Sequence, residues 1–175
     1  MCGIMGFLAR NAAGQLKMGR TMMAMLEALG RLPEPMFVPR EVRDETDIHG
    51  ARSSHPDSSA IATALDEGAL RLLPKASQAD LKRLRIHHGL RDTDAAVIAC
   101  ARKHRAIVGS DDAKVRKIAA LERVPYGGTG YILARFVRAR ILTRSEARSH
   151  LDRMIARGWW VTVETYSRLL AELGF

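Results

Sequence analysis

The sequence predicts an α/β fold, a three-layer α/β/α sandwich with a mostly parallel central sheet. Short apolar runs of strand length alternate with longer segments of helical period through most of the chain. Acidic residues stand where several of those apolar runs give way to helices, the end of a helix that favours negative charge. No linker, repeat or low-complexity tract divides the 175 residues. A single domain over 1–175 is therefore expected, with 141–175 as a C-terminal helical extension.

The elements follow in order. CGIMGFLA (2–9) is a short apolar run and reads as a buried strand; MGRTMMAMLEALG (18–30) reads as a helix closed by Gly30, its methionines filling core. In PEPMFVPREVRDE the apolar MFV is strand-like, and Pro39 suits the first turn of a short helix. DIHGARSSHPDSS (47–59) is polar and reads as a loop. ALRLL (69–73) is a further strand, ADLKRLRIHHG a helix ending at Gly89, and RDTDAAVIACARKHR a helix with acids in its first turn. AIVGS (106–110) is a compact buried strand, DDAKVRKIAALER a helix that again opens on acids, and VPYGG a strand or turn. TGYILARFVRARI, SEARSHLDRMIARG and VETYSRLLAEL are three amphipathic helices. Thr143 and Glu146 have capping-box spacing.

Composition narrows the function classes. Apolar residues make up 47% and charged residues 27%, ordinary for a globular protein, and no apolar run reaches the ~20 residues that span a bilayer. Two cysteines, Cys2 and Cys100, imply no disulfide framework, so a reducing, cytoplasmic setting is expected. A net charge of +9 favours a polyanionic partner such as nucleic acid.

The opening MCGIMGF is similar to the start of glutamine amidotransferases with an N-terminal cysteine nucleophile. That chemistry needs a large antiparallel sandwich and downstream substrate-binding motifs. The α/β alternation after residue 20 argues against it.

Three acidic clusters fall at strand-to-helix junctions or on first helical turns: Asp44/Glu45, Asp92/Asp94 and Asp111/Asp112. In open parallel sheets, sites form outside the carboxyl ends of the strands. Carboxylates gathered there suit a hard cation such as Mg²⁺ or Mn²⁺, which can activate water against a phosphodiester. Each cluster alone also reads as a helix cap; the three together favour a metal site.

At these residues the chain resembles the PIN-domain nucleases, the fold of the VapC toxins. FVPREVRDE (37–45) resembles the family's "IPxxVxxE" element, which puts Glu45 on its site glutamate. DAAVIACA (94–101) is similar to the "DxxIAAxA" helix start, which puts Asp94 on its third acid. IVGSDD (107–112) resembles the strand-ending "lvTxD" motif, with Ser110 and Asp112 in the Thr and Asp places and Asp111 as an accessory acid. DDAKVRKIAALERVPYGGTGYILARFVRARILT and HLDRMIARGWWVTVETYSRLL resemble an uncharacterised branch of the family, and the likeness runs over roughly 20–173. It implies divalent-metal-dependent RNA cleavage with Glu45, Asp94 and Asp112 as catalytic and metal-holding residues. It also implies a small antitoxin protein and a homodimer as partners.

One departure stands out. The family's first acid ends the first strand, and nothing from Met1 to Ala9 is acidic. Two expectations follow: the chain as given begins just after that aspartate, or the site is degenerate and the protein binds RNA or a protein partner without cutting.

The remaining motifs have structural readings first. His87 and His88 point apart on a helix, so both are expected at the surface. GGTG (127–130) reads as a tight strand-to-helix turn, or else as a phosphate loop on backbone amides, without the Lys-Ser/Thr of a P-loop. Trp159-Trp160 is expected to pack the last helices, and Cys100 to be buried and inert. Lys82, Arg83, Arg85, Arg91, Arg102, Lys103 and Arg105 flank the acidic edge as candidate phosphate contacts.

Overall fold

In the computed structural model, the described residues are 4–5, 30–45, 56–156, 159 and 161–175. The sheet is built from five short strands: β1 (Ile4–Met5), β2 (Met36–Pro39), β3 (Arg71–Leu73), β4 (Ile107–Gly109) and β5 (Tyr126–Gly127). They lie in the order β3-β2-β1-β4-β5, and every pairing is parallel. Ile4 sits opposite both Met36 and Ile107, so the opening heptapeptide supplies the central strand. Successive strand residues face opposite sides of a sheet, and both Val38 and Pro39 are buried, so both faces are covered. That is the layering the sequence pattern predicts.

The helices are α1 (40–45), α2 (Pro56–Asp66), α3 (Gln78–His88), α4 (Asp92–His104), α5 (Ala113–Leu121), α6 (Thr129–Arg138), α7 (Arg144–Ala156) and α8 (Val163–Leu173). α4 packs across β1, β2 and β4, and every residue from Ala95 to Ala101 is buried. Four of those seven are alanines, which let the helix approach the sheet closely while Val97 and Ile98 fill the space between. Cys100 is buried here, as expected, and burial pushes its thiol up to about 11, away from the reactive thiolate.

Capping residues set the helix ends. Ser77 accepts from the Asp80 amide at the start of α3, and Gly89 closes it at φ 60°. Thr143 and Glu146 form the expected reciprocal capping box at α7, with the Thr143 amide 2.7 Å from Glu146 Oε2 and the Glu146 amide 3.2 Å from Thr143 Oγ1. α7 and α8 pack on α6 and on each other; Leu151 and Leu173 join the same buried cluster as Val38. Trp159 packs half-buried against that cluster, in the structural role expected of it. Trp160, Cys2 and the 18–30 helix up to residue 29 lie outside the described residues.

Two boundaries differ from the sequence reading. Pro39 ends β2 instead of opening a helix, paired in register with Leu73, and helical residues begin at Arg40. Residues 56–59, read as part of a polar loop, open α2. Pro56 takes the first helical position, where its missing amide costs nothing, and Ile61 and Ala64 bury one side of the helix. The run PDSS masked that start because its polarity is equally that of a loop.

Candidate active site

The crossovers run from β1 outward to β2 and β3, then back across to β4 and β5. The direction reverses between β1 and β4, which is where an open parallel sheet leaves a crevice at its carboxyl edge. Three elements bring acids to that edge. α1 begins directly after β2 and carries Glu41, Asp44 and the half-buried Glu45. α4 runs into β4 through Arg105 and Ala106, so its first turn, with Asp92 and Asp94, lies toward the opposite, carboxyl end of the sheet. Asp111 and Asp112 follow the end of β4 directly. The starts of α4 and α5 adjoin, since Lys114 Nζ donates to Gly89 O at 2.6 Å.

Each acid has work to do within the protein. Asp112 is the N-cap of α5, its Oδ1 accepting from the Lys114 and Val115 amides at 2.7 and 3.0 Å. Its own amide donates to Ser110 Oγ at 3.2 Å. Asp94 Oδ2 pairs with Arg91 Nε at 3.1 Å, one turn back. Asp92 pairs with Arg85 at 3.0 Å and Asp44 with Lys75 at 3.1 Å, both on open surface. Glu41 reaches across to the segment that follows β3 at the same edge, Oε1 accepting from the Ala76 amide at 2.8 Å.

Asp111 has a role that its sequence position does not disclose. Its Oδ1 accepts from the Thr129 amide at 2.9 Å, its Oδ2 from the Thr129 hydroxyl, and Arg116 stands 3.7 Å away. A carboxylate from the end of β4 thereby caps α6, 18 residues further on. This favours the tight-turn reading of GGTG: the Thr129 amide at the helix start is taken by an anion of the protein's own. A Cβ at Gly128 would overlap the Asp111 carboxylate, and one at Gly130 would overlap Leu169 of α8, so these glycines serve close packing. Thr129→Val, which keeps the shape and removes the hydroxyl, is expected to cost about 1–2 kcal/mol by stranding a half-buried carboxylate oxygen. Urea unfolding reads this as a lower midpoint; an unmoved midpoint would mean the hydroxyl bond contributes nothing.

The donor set at this edge is carboxylate oxygen, the chemistry a hard divalent cation takes. By donor type and by edge the residues fit such an ion. As the side chains stand, no three His, Cys, Asp or Glu among the described residues are grouped closely enough to hold one. To meet on one ion, Asp94 would have to leave Arg91, and Asp112 would have to offer the oxygen that its cap does not use.

The expected phosphate contacts divide into two sets. Glu122, just past the end of α5, takes both guanidinium nitrogens of Arg83 at 2.7 and 2.6 Å, Arg102 at 3.1 Å and His88 Nε2 at 3.1 Å. Arg102 also holds Asp80 at 2.6 Å. Arg83 and Arg102 are thus committed to a clamp joining α3, α4 and the end of α5, and His88 is half-buried in it instead of lying at the surface beside His87. The Arg83 hydrogen bonds, more than any other cause, hold Glu122 down at about 2, against the opposing effect of burial. Nothing local marks Glu122 in the sequence, since its partners lie 20 to 39 residues away.

Comparison with known proteins gives three findings. The family model DUF3368, a PIN domain, matches residues 21–174. Among solved structures, the chain is similar in fold to PAE2754 from Pyrobaculum aerophilum, with a TM-score of 0.53 at 12% identity over 81% of this chain and 98% of that one. No curated protein matches.

Proposed function

The chain belongs to the PIN-domain family, and from that premise we propose that it is a divalent-metal-dependent ribonuclease of VapC type, with Glu45, Asp94 and Asp112 as its site carboxylates. PIN domains are generally metal-dependent nucleases acting on nucleic acids. One observation carries the step from family to site. Three acids from three separate elements, matched to three motifs, fall on the carboxyl edge of the sheet beside the β1–β4 reversal.

Glu45, Asp94 and Asp112 would hold Mg²⁺ or Mn²⁺. Such an ion, when bound, makes water a better nucleophile at neutral pH and offsets charge on the phosphodiester. The chain's own residues do the positioning. The cap at Asp112 fixes that carboxylate at the start of α5, Arg91 would release Asp94 to the ion, and Asp111 belongs to the frame, holding α6 in place. Hydrolysis places the water oxygen on phosphorus and breaks the bond to the 3′ oxygen, leaving a 5′-phosphate and a 3′-hydroxyl. A small antitoxin protein and a second copy of the chain are the protein partners this reading carries with it.

The second reading is a catalytically inactive PIN scaffold that binds nucleic acid or a protein partner. The Arg91–Asp94 pair and the ungrouped carboxylates favour it. Incubation with a labelled single-stranded RNA decides between them. The ribonuclease reading expects cleavage with Mn²⁺, none with EDTA, and recovery on adding Mn²⁺ in excess. RNA bound but left intact at every Mn²⁺ or Mg²⁺ concentration sinks that reading and leaves the scaffold.

A further inference from the structure

The clamp at Glu122 and the pair at Asp94 remove Arg83, Arg102 and Arg91 from the cations available to a ligand. Of the other expected phosphate contacts, Lys103 and Arg105 end α4 at the amino edge of the sheet, away from the acids, whereas Lys82 and Arg85 lie on one face of α3. Lys82, Arg85, Ile86 and Gly89 recur at the spacing of a single helical face and, with Leu90, line a shallow cleft of about 480 Å³. Lys82 is exposed, Arg85 is 56% exposed, and Arg85 pairs with the equally open Asp92. Ile86 is 68% exposed, an apolar side chain left in water between two cations. The far end of the cleft is tied to the acidic edge, because Lys114, two residues after Asp112, donates to the Gly89 carbonyl that lines it.

Resting on the ribonuclease reading, we infer that this cleft is the track by which single-stranded RNA approaches the carboxylates. Lys82, Arg85 and Lys114 take successive phosphates, and Ile86 takes a base or ribose face between them. The cleft lining carries two cations, Lys82 and Arg85, with Lys114 bonded to the Gly89 carbonyl at its end and Asp92 paired to Arg85, which leaves the track positive, as a phosphodiester backbone requires. The exposed isoleucine selects the strandedness. In a duplex the base faces are stacked on one another and an apolar side chain beside the phosphates has nothing to cover, whereas a single strand offers a face to it. No carboxylate of the proposed site takes part, so the track can be removed with the site intact.

The test is fluorescence anisotropy of a fluorescein-labelled single-stranded oligoribonucleotide in EDTA, where cleavage does not intervene. Lys82→Glu with Arg85→Glu is expected to weaken binding by about 10-fold or more. It should also flatten the dependence of log affinity on log salt by roughly 1.4, two phosphate contacts on a single strand. Ile86→Ser is expected to weaken binding by about 5-fold with the salt slope unchanged, which separates the apolar contact from the charges. If the wild-type chain binds and both variants bind as it does, the track is wrong and the ribonuclease reading stands. Equal binding of duplex and single strand, with equal losses in the variants, overturns the choice of a single strand. A wild-type chain that binds no RNA overturns both the track and the reading beneath it. If RNA binds by this track but is never cleaved, the track holds and the ribonuclease reading fails.

Discussion

Asp94→Asn is expected to lower Mn²⁺-dependent RNA cleavage by about 100-fold or more while leaving the fold in place. The substitution keeps the side chain's shape and its place on the first turn of α4, and removes the charge that would hold the cation. Its structural cost is small. The Arg91–Asp94 pair lies at a half-open edge, with Arg91 50% exposed, and such pairs contribute about 1 kcal/mol at most. Cleavage rate and thermal midpoint therefore part company: the first falls by orders of magnitude, the second by a few degrees. Cleavage that survives in Asp94→Asn at the wild-type rate takes Asp94 out of the site. A large fall in midpoint together with lost cleavage would instead make Asp94 a structural residue.

Glu122→Gln is expected to have the largest effect on stability. Glu122 is 11% exposed and accepts from Arg83 and Arg102, so the amide leaves these two guanidiniums beside each other without their shared anion. Both arginines keep some contact with water, at 35% and 43% exposure, which moderates the loss to about 2–3 kcal/mol. For a chain of this length that is a fall of roughly 4–12 °C in Tm.

The pH dependence has a definite sign. Glu122 titrates at about 2 in the folded chain against an ordinary 4.5 when unfolded. Its contribution is thus complete above about pH 5 and fades as the pH falls from there toward 2. Calorimetry from pH 6 to pH 3 should show the wild-type midpoint falling toward that of the Gln variant. A gap that stays constant over that interval would show that the charge of Glu122 does not hold the clamp.

The fold was legible because its signals are local. A strand announces itself over three or four apolar residues, a helix over its period of 3.6, and a cap within a single turn, as at Thr143. The missed start of α2 and the displaced Pro39 are failures of the same kind. PDSS and VPRE are each compatible with two local structures, and burial of Ile61 in one case and pairing with Leu73 in the other made the choice.

The candidate site was legible only in part. Motif order sends Glu45, Asp94 and Asp112 to one edge, since each lies next to a strand end or opens a helix that packs on the sheet, and parallel strands put all such ends on the same side. What those side chains bind in the absence of a ligand does not follow from order. Asp111 and Asp112 are adjacent and chemically identical, yet one caps the helix that follows it and the other caps a helix 18 residues away. Likewise Lys82, Arg83 and Arg85 read as one basic run, and the helix turns Arg83 into the Glu122 clamp while Lys82 and Arg85 face water.

The sequence by itself determined the α/β alternation, because each strand and helix is coded within a few positions, and strands joined through helices are laid parallel with the acids that follow them at one edge. Only the tertiary structure decided which acids act as caps, which arginines are bound in pairs and which cations remain for a ligand. Those outcomes rest on partners up to 39 residues apart, and side chains that distant meet only when the helices have packed.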